Sequence, residues 1–179
     1  KNDLTDNDIN DIIDILKSLD CNLYKYSVIG DNDQKNIDLF NKIMNNSDFK
    51  ILDNESTYLF YKDINPIKIT GINTIDVKTV ETNEELTPIF NLVLMHYPDY
   101  ADNLSFDNAV ALSGHSLKGK IRIPFYGGII KKDGAKKYID DYYEIGTNKL
   151  YVSGGIGTEN VKFRFNNKPE INFYRLEKK

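Results

Sequence analysis

The feature that most constrains this chain is a pair of short apolar runs, each leading into a histidine. Ile89-Phe90-Asn91-Leu92-Val93-Leu94-Met95 runs directly into His96, and Ala109-Val110-Ala111-Leu112-Ser113 passes through Gly114 into His115. Runs this short and this apolar predict strands of a sheet covered on both faces. The sequence holds 2 histidines in all, and both fall at such strand ends. A third predicted strand, Tyr24 to Ile29, ends in Gly30-Asp31-Asn32-Asp33. In open α/β sheets the loops beyond the carboxyl ends of the strands are where ligands bind, so these three ends are expected to meet at one edge.

The rest of the pattern is also α/β. Asp6 or Asn7 is expected to cap a helix whose Ile9, Ile12, Ile13, Leu16 and Leu19 recur at three and four, ending near Asp20. A second amphipathic helix carries Ile37, Phe40, Ile43 and Met44. Phe49 to Leu52, Thr57 to Tyr61 and Ile67 to Ile72 are separated by Asp-Asn and Asn-Pro breakers and read as antiparallel hairpins. A short helix is expected around Asn83 to Leu86, and strands at Lys149 to Ser153 and Ile171 to Leu176. No repeat or linker divides the 179 residues, a length that fits one domain, 1–179, with a core of its own.

Composition narrows the function classes. With 23 Lys+Arg against 27 Asp+Glu and a net charge of −4, the chain lacks the basic excess of a protein that coats nucleic acid. The single Cys21 offers neither an internal disulfide nor a zinc cluster. No apolar run approaches the ~20 residues that cross a bilayer, and Lys1 to Asp6 has no signal-peptide core, so no membrane segment is expected in these residues.

Taken singly, a histidine after a strand is more often a hydrogen-bonded structural residue, and an Asp after Gly is ordinary turn chemistry. The conjunction points to a metal. Asp31, His96, His115 and one further carboxylate, for which Asp3 is the candidate, form a mixed nitrogen and oxygen set that suits Mn, Fe or Zn. Two carboxylates and two neutral imidazoles around one divalent ion sum to zero charge, which a half-buried site tolerates. Gly154-Gly155-Ile156-Gly157 has no helix behind it and reads as a tight loop rather than a dinucleotide fingerprint. Lys118, Lys120 and Arg122 read equally as an attractor for a phosphate group and as a solvated charged face.

Four blocks carry a resemblance. Leu94-Met95-His96-Tyr97-Pro98-Asp99-Tyr100, the run from Ser113 to Pro124, Leu150 to Thr158, and Arg164-Phe165-Asn166-Asn167-Lys168-Pro169-Glu170-Ile171 resemble, in order and spacing, the C-terminal half of calcineurin-like metallophosphoesterases. The branch they are most similar to is bacterial and often carries an N-terminal membrane anchor. The resemblance implies a four-layer α/β/β/α sandwich with two metal ions at the strand ends, where metal-activated water attacks a phosphate ester.

Carried over residue by residue, the resemblance makes Asp3 the carboxylate that bridges the two metals. It sets Asp31 where the family has a ligand Asn, and Asn32 where the family has the histidine that serves as acid or phosphate contact. His96 matches the lone ligand histidine and His115 the first of a Gly-His-x-His pair, whose second member is Leu117 here. The Asp-x-His segment that would precede Asp3 has no counterpart, so the sandwich is expected to lack its first strands and to keep one metal site. Three readings follow: a phosphoesterase of reduced activity; a catalytically inactive relative that keeps one ion and acts as a binding or regulatory partner; and a domain completed by an omitted N-terminal region or a partner chain. Localisation is expected to be cytoplasmic, or membrane-associated through an anchor outside these residues.

Overall fold

The computed structural model of the protein describes residues 4–60, 66–73, 90–104, 107–158 and 162–177. Its first element is helix α1 (Asp6–Lys17). Thr5 caps it, not Asp6 or Asn7. The Thr5 hydroxyl accepts the Asp8 N–H at 3.2 Å, and the Asp8 carboxylate accepts the Thr5 N–H at 2.8 Å. Two orphan donors are thereby satisfied by one reciprocal pair, which a lone Asp6 or Asn7 would not achieve. The helix stops at Lys17, so Leu19 falls outside it and is exposed. Ile9, Ile12, Ile13 and Leu16 turn inward.

Strand β1 (Lys25–Ser27) leads through Gly30 into the single turn α2 (Asp31–Gln34), then α3 (Ile37–Asn46) and strand β2 (Phe49–Ile51). β1 and β2 pair in parallel, so this stretch is a βαβ unit, with α1 packed on α3. Lys25 of β1 ties it together. Its ammonium donates to the carbonyls of Leu16, Lys17 and Ser47 at 3.1–3.2 Å, placing a cation at the carboxyl ends of both helices.

The second sheet has six strands: β3 (Glu55–Leu59), β4 (Ile67–Ile72), β5 (Phe90–Met95), β6 (Ala109–Ser113), β9 (Tyr142–Ile145) and β10 (Asn148–Val152), in the order β3-β4-β5-β6-β10-β9. The inner four run parallel, and β3 and β9 close the two edges antiparallel. A small antiparallel pair, β7 (Arg122–Ile123) and β8 (Gly127–Gly128), stands apart from it. The architecture is therefore mixed α/β around a central sheet.

Two expectations about pairing change. β2 forms no hairpin with β3: Asn54 turns the chain in the left-handed region (φ 53°), and β2 stays with β1 while β3 pairs with β4. Leu52, fully buried, joins the two sheets by lying against Gly71 of β4. Ile171 to Leu176 alternates like a strand but joins no ladder among the described residues; the Glu170 N–H is taken by the Gly155 carbonyl, and Tyr174 packs on Tyr151. The helix expected at Asn83 to Leu86 lies outside the described residues.

The core sits on one face of the central sheet. Ile72, Val93, Met95, Ala109, Ala111, Leu150 and Val152 pack with Ala101 and Tyr138, which come from the 3-10 turn Pro98–Asn103 and the 132–139 segment. The alternate residues Leu92, Leu94, Val110 and Leu112 are half-buried, so the two faces are unequal where the sequence suggested full cover on both. Because β5 and β6 run parallel, their carboxyl ends, and with them His96 and His115, share one edge.

Candidate metal centre

At that edge three side chains meet. Asp31 comes from the first turn of α2 behind β1, His96 from the end of β5, and His115 from the loop after β6. Asp31 Oδ1 lies 2.9 Å from His96 Nε2 and 3.8 Å from His115 Nδ1, and the imidazole rings are 4.6 Å apart. One ligand atom from each lies within 4.8 Å of the others, and this is the group of metal-binding character found among the described residues. Donors that share an ion at about 2.1 Å sit roughly 3–4 Å apart, so the donor set fits a divalent ion chemically, and the distances of Asp31 to the two histidines, 2.9 and 3.8 Å, suit that spacing.

The environment keeps Asp31 and His96 in their ligating forms. Burial pushes the His96 pKa down, and His115 adds to this against the pull of Asp31, leaving a neutral imidazole. Burial raises the Asp31 carboxyl, but His96 and His115 outweigh it and hold the group below the ordinary aspartate value. Gly30 makes the close approach possible: a Cβ there would lie 2.8 Å from His96 Cε1 and 2.9 Å from Nδ1. Tyr97 covers one flank of both histidines, its ring 5.0 Å from that of His96 and 4.6 Å from that of His115.

The loop carrying His115 is unusual in its backbone. His115, Leu117, Lys118 and Lys120 all have φ between 49° and 58°. Such left-handed residues each cost roughly 1–3 kcal/mol and persist where the surroundings over-determine them. Here the surroundings are polar and specific. The Lys118 ammonium is held by Asp141 at 2.7 Å and Glu170 at 2.6 Å, Arg122 donates to the Lys118 carbonyl at 3.0 Å, and Asn167 donates to the Leu117 carbonyl. Glu170 in turn accepts the Gly154 N–H at 2.8 Å, which ties the glycine loop to the same cluster. Burial draws the Lys118 pKa down, its two carboxylates draw it up, and the net lies above the ordinary lysine value.

The sequence-based candidates are thus distributed unevenly. Asp31, His96 and His115 are brought together; Asp3 lies outside the described residues. Asn32 is exposed and its carbonyl accepts from Lys35 at 2.9 Å, on the outer side of α2. Lys118 and Lys120 are buried, the first on its two carboxylates and the second on the Thr158 carbonyl, so an incoming phosphate group would compete with partners already in place. The sequence does not single out Asp33, whose carboxylate accepts the Gly30 N–H at 3.0 Å, Tyr97, or the backbone carbonyl of Asp133, which accepts from His115 Nε2 at 2.9 Å. Asp33 stands three residues after Gly30 and Tyr97 directly after His96, which marks both. Nothing in the sequence marks a carbonyl.

The chain is similar to the protein named "uncharacterized metallophosphoesterase YkuE" of Bacillus subtilis (strain 168), with 27% identity over a 173-position alignment that takes in 93% of this chain and 60% of the relative. That relative is a metallophosphoesterase by name. The similarity supports the same family for this chain, and the mixed α/β architecture agrees with it. The chain spans about 60% of the length of this curated relative. No family model matches the sequence, and no solved structure matches it. Among the described residues no helix is long and apolar enough to cross a membrane.

Proposed function

We propose that this chain carries the metal site of a metal-dependent phosphoesterase, in which Asp31, His96 and His115 hold one divalent ion of Mn, Fe or Zn and the substrate is a phosphate ester. The convergence of three ligating atoms from three separate strand ends carries this reading, together with the similarity to a metallophosphoesterase. A bound divalent ion supplies a Lewis acid for the phosphoryl oxygen and lowers the pKa of water.

The chain's own residues supply the rest. Asp31 contributes the negative charge, and the two imidazoles contribute neutral donors. Tyr97 excludes water from one flank of the pair. Asn32 neither gives nor takes a proton, so a leaving group must be protonated by solvent, and the rate is expected to fall about 10²–10⁴-fold below that of a site with a positioned acid. In this reading Asp3 is the chain's own second carboxylate for the ion, and a further segment, upstream or from a partner chain, would extend the two-stranded β1-β2 sheet.

The second reading, a chain that keeps the ion without turnover, is favoured by Leu117. An apolar side chain stands where the family's second loop histidine would be, and it faces Gly155. Metal titration followed by hydrolysis of an aryl phosphate and an aryl phosphodiester with added manganese separates the two. Binding of one ion, lost in His96→Ala, with turnover lost in His115→Ala, supports the first reading; binding without turnover supports the second. Absence of any His96-dependent binding refutes both.

A further inference from the structure

His115 is held by a train of contacts that begins at Asp99. The Asp99 carboxylate accepts three consecutive backbone N–H groups, Lys136 on Oδ2 at 2.7 Å and Lys137 and Tyr138 on Oδ1 at 3.0 Å each. The Asp99 N–H also donates to the Gly134 carbonyl at 3.0 Å. One residue therefore grips the 134–138 segment at both ends, and the three bonds on its carboxylate are strengthened by the charge. Gly134 seats the segment under Tyr97, where a Cβ would lie 2.5 Å from the ring's Cδ1.

The preceding residue delivers the consequence. The Asp133 carbonyl lies 2.9 Å from His115 Nε2, and Lys132 Nζ donates to the His115 carbonyl at 3.1 Å. A carbonyl only accepts, so Nε2 carries a proton, and in the neutral ring Nδ1 then carries the lone pair. Nδ1 is the atom that faces Asp31, 3.8 Å away. Without the carbonyl on Nε2, the carboxylate of Asp31 would draw the proton to Nδ1 and close that atom to a metal.

We propose that Asp99 is the positioning residue that fixes the tautomer of His115: by pinning the 134–138 segment it keeps the Asp133 carbonyl on Nε2 and makes Nδ1, on the side of Asp31, the unprotonated nitrogen. The role of Nδ1 as a ligand rests on the metal-site reading above. The tautomer itself does not, because it exists in the metal-free protein.

The test is nitrogen-15 NMR of the imidazoles in metal-free protein, above the ordinary imidazole titration range, with His96→Gln used to assign the two rings. The wild type should show one His115 tautomer, protonated at Nε2. Asp99→Ala should add a population protonated at Nδ1, and manganese affinity should fall about 10–100-fold, the usual effect of losing a partner that orients a ligand histidine. Asp99→Asn, which keeps one carbonyl oxygen for Lys137 and Tyr138, should be intermediate. Gly134→Ala should reproduce the tautomer change by displacing the same segment, and it keeps the test open should Asp99→Ala fail to fold.

Asp102→Asn is the control. Asp102 binds the Lys137 ammonium and the Tyr138 hydroxyl, so its loss weakens the same segment but leaves the grip of Asp99 intact. It should lower stability and leave the tautomer unchanged. A wild-type His115 protonated at Nδ1, or a single unchanged tautomer with unchanged manganese affinity in Asp99→Ala and Gly134→Ala, would overturn the proposal. A tautomer that responds to Asp99 in a protein that binds no manganese would sustain the positioning role and refute the metal site.

Discussion

Gly30 bears directly on how His96 is seated, and one added methyl tests that seat. A Cβ at Gly30 would meet His96 Cε1 at 2.8 Å, Nδ1 at 2.9 Å and Asp33 Oδ2 at 3.0 Å. Carbon atoms in contact ordinarily rest at about 3.5–4.0 Å, so the imidazole must withdraw by about 0.7 Å or more in Gly30→Ala. It has little room, because Asp31 holds Nε2 at 2.9 Å and the rings of His115 and Tyr97 stand on its other sides. Gly30 itself is at φ −94° and ψ 171°, a conformation alanine adopts freely. The substitution therefore gains about 0.4–1 kcal/mol from the unfolded chain and loses about 1–3 kcal/mol to overpacking. The net expectation in metal-free protein is a small destabilisation, about 1 kcal/mol, read from urea unfolding. The larger effect falls on the ligand: manganese affinity should drop about tenfold or more by calorimetry, as it does when an orienting contact to a ligand histidine is lost. An alanine variant as stable as the wild type or more so, with its manganese affinity unchanged, would refute the argument that Gly30 is required by the closeness of His96.

Two further outcomes are expected. Gly71→Ala sets a Cβ 2.6 Å from the Leu52 carbonyl oxygen, a backbone atom that cannot swing aside, so stability should fall by about 3 kcal/mol and the thermal midpoint by about 6–12 °C; an unchanged midpoint would show that the two sheets are not tied at this point. Burial raises the Glu170 carboxyl, but the Gly154 N–H and Lys118 outweigh it and hold the group below its ordinary 4.5. The stability it contributes is then complete above pH 4.5 and lost as the pH falls through the lower folded-state value. Glu170→Gln should be less stable than wild type at neutral pH, with the gap narrowing in acid; a gap that widens in acid would reverse the sign assigned to this group.

Much of the local structure was legible because it depends on neighbours in the chain. The three-and-four spacing of Ile9, Ile12, Ile13 and Leu16 gives α1 its inward stripe, and Ile37, Phe40, Ile43 and Met44 do the same for α3. The apolar runs before His96 and His115 became β5 and β6. The N-cap lies one or two residues before the positions the sequence suggests, because Asp6 and Asn7 cap as readily by type and only the return bond from Asp8 distinguishes Thr5. The alternation at Ile171 to Leu176 misled for the opposite reason: a strand needs a partner edge, and its pattern alone does not supply one.

The sequence by itself named candidate donors, the carboxylates of Asp3 and Asp31 and the imidazoles of His96 and His115, and set Asp31, His96 and His115 just past strands, since these are properties of residue type and local period; Asp3 lies outside the described residues. Only the tertiary structure decided how those donors are held. The parallel register of β5 with β6 sets both histidines on one edge, and Leu52 against Gly71 docks the unit that carries Asp31. The Asp133 carbonyl then selects the nitrogen that His115 turns toward the site. Such contacts join residues far apart in the chain, several of them through backbone groups that every residue possesses. Side-chain identity does not encode them, and the packed fold is what makes them specific.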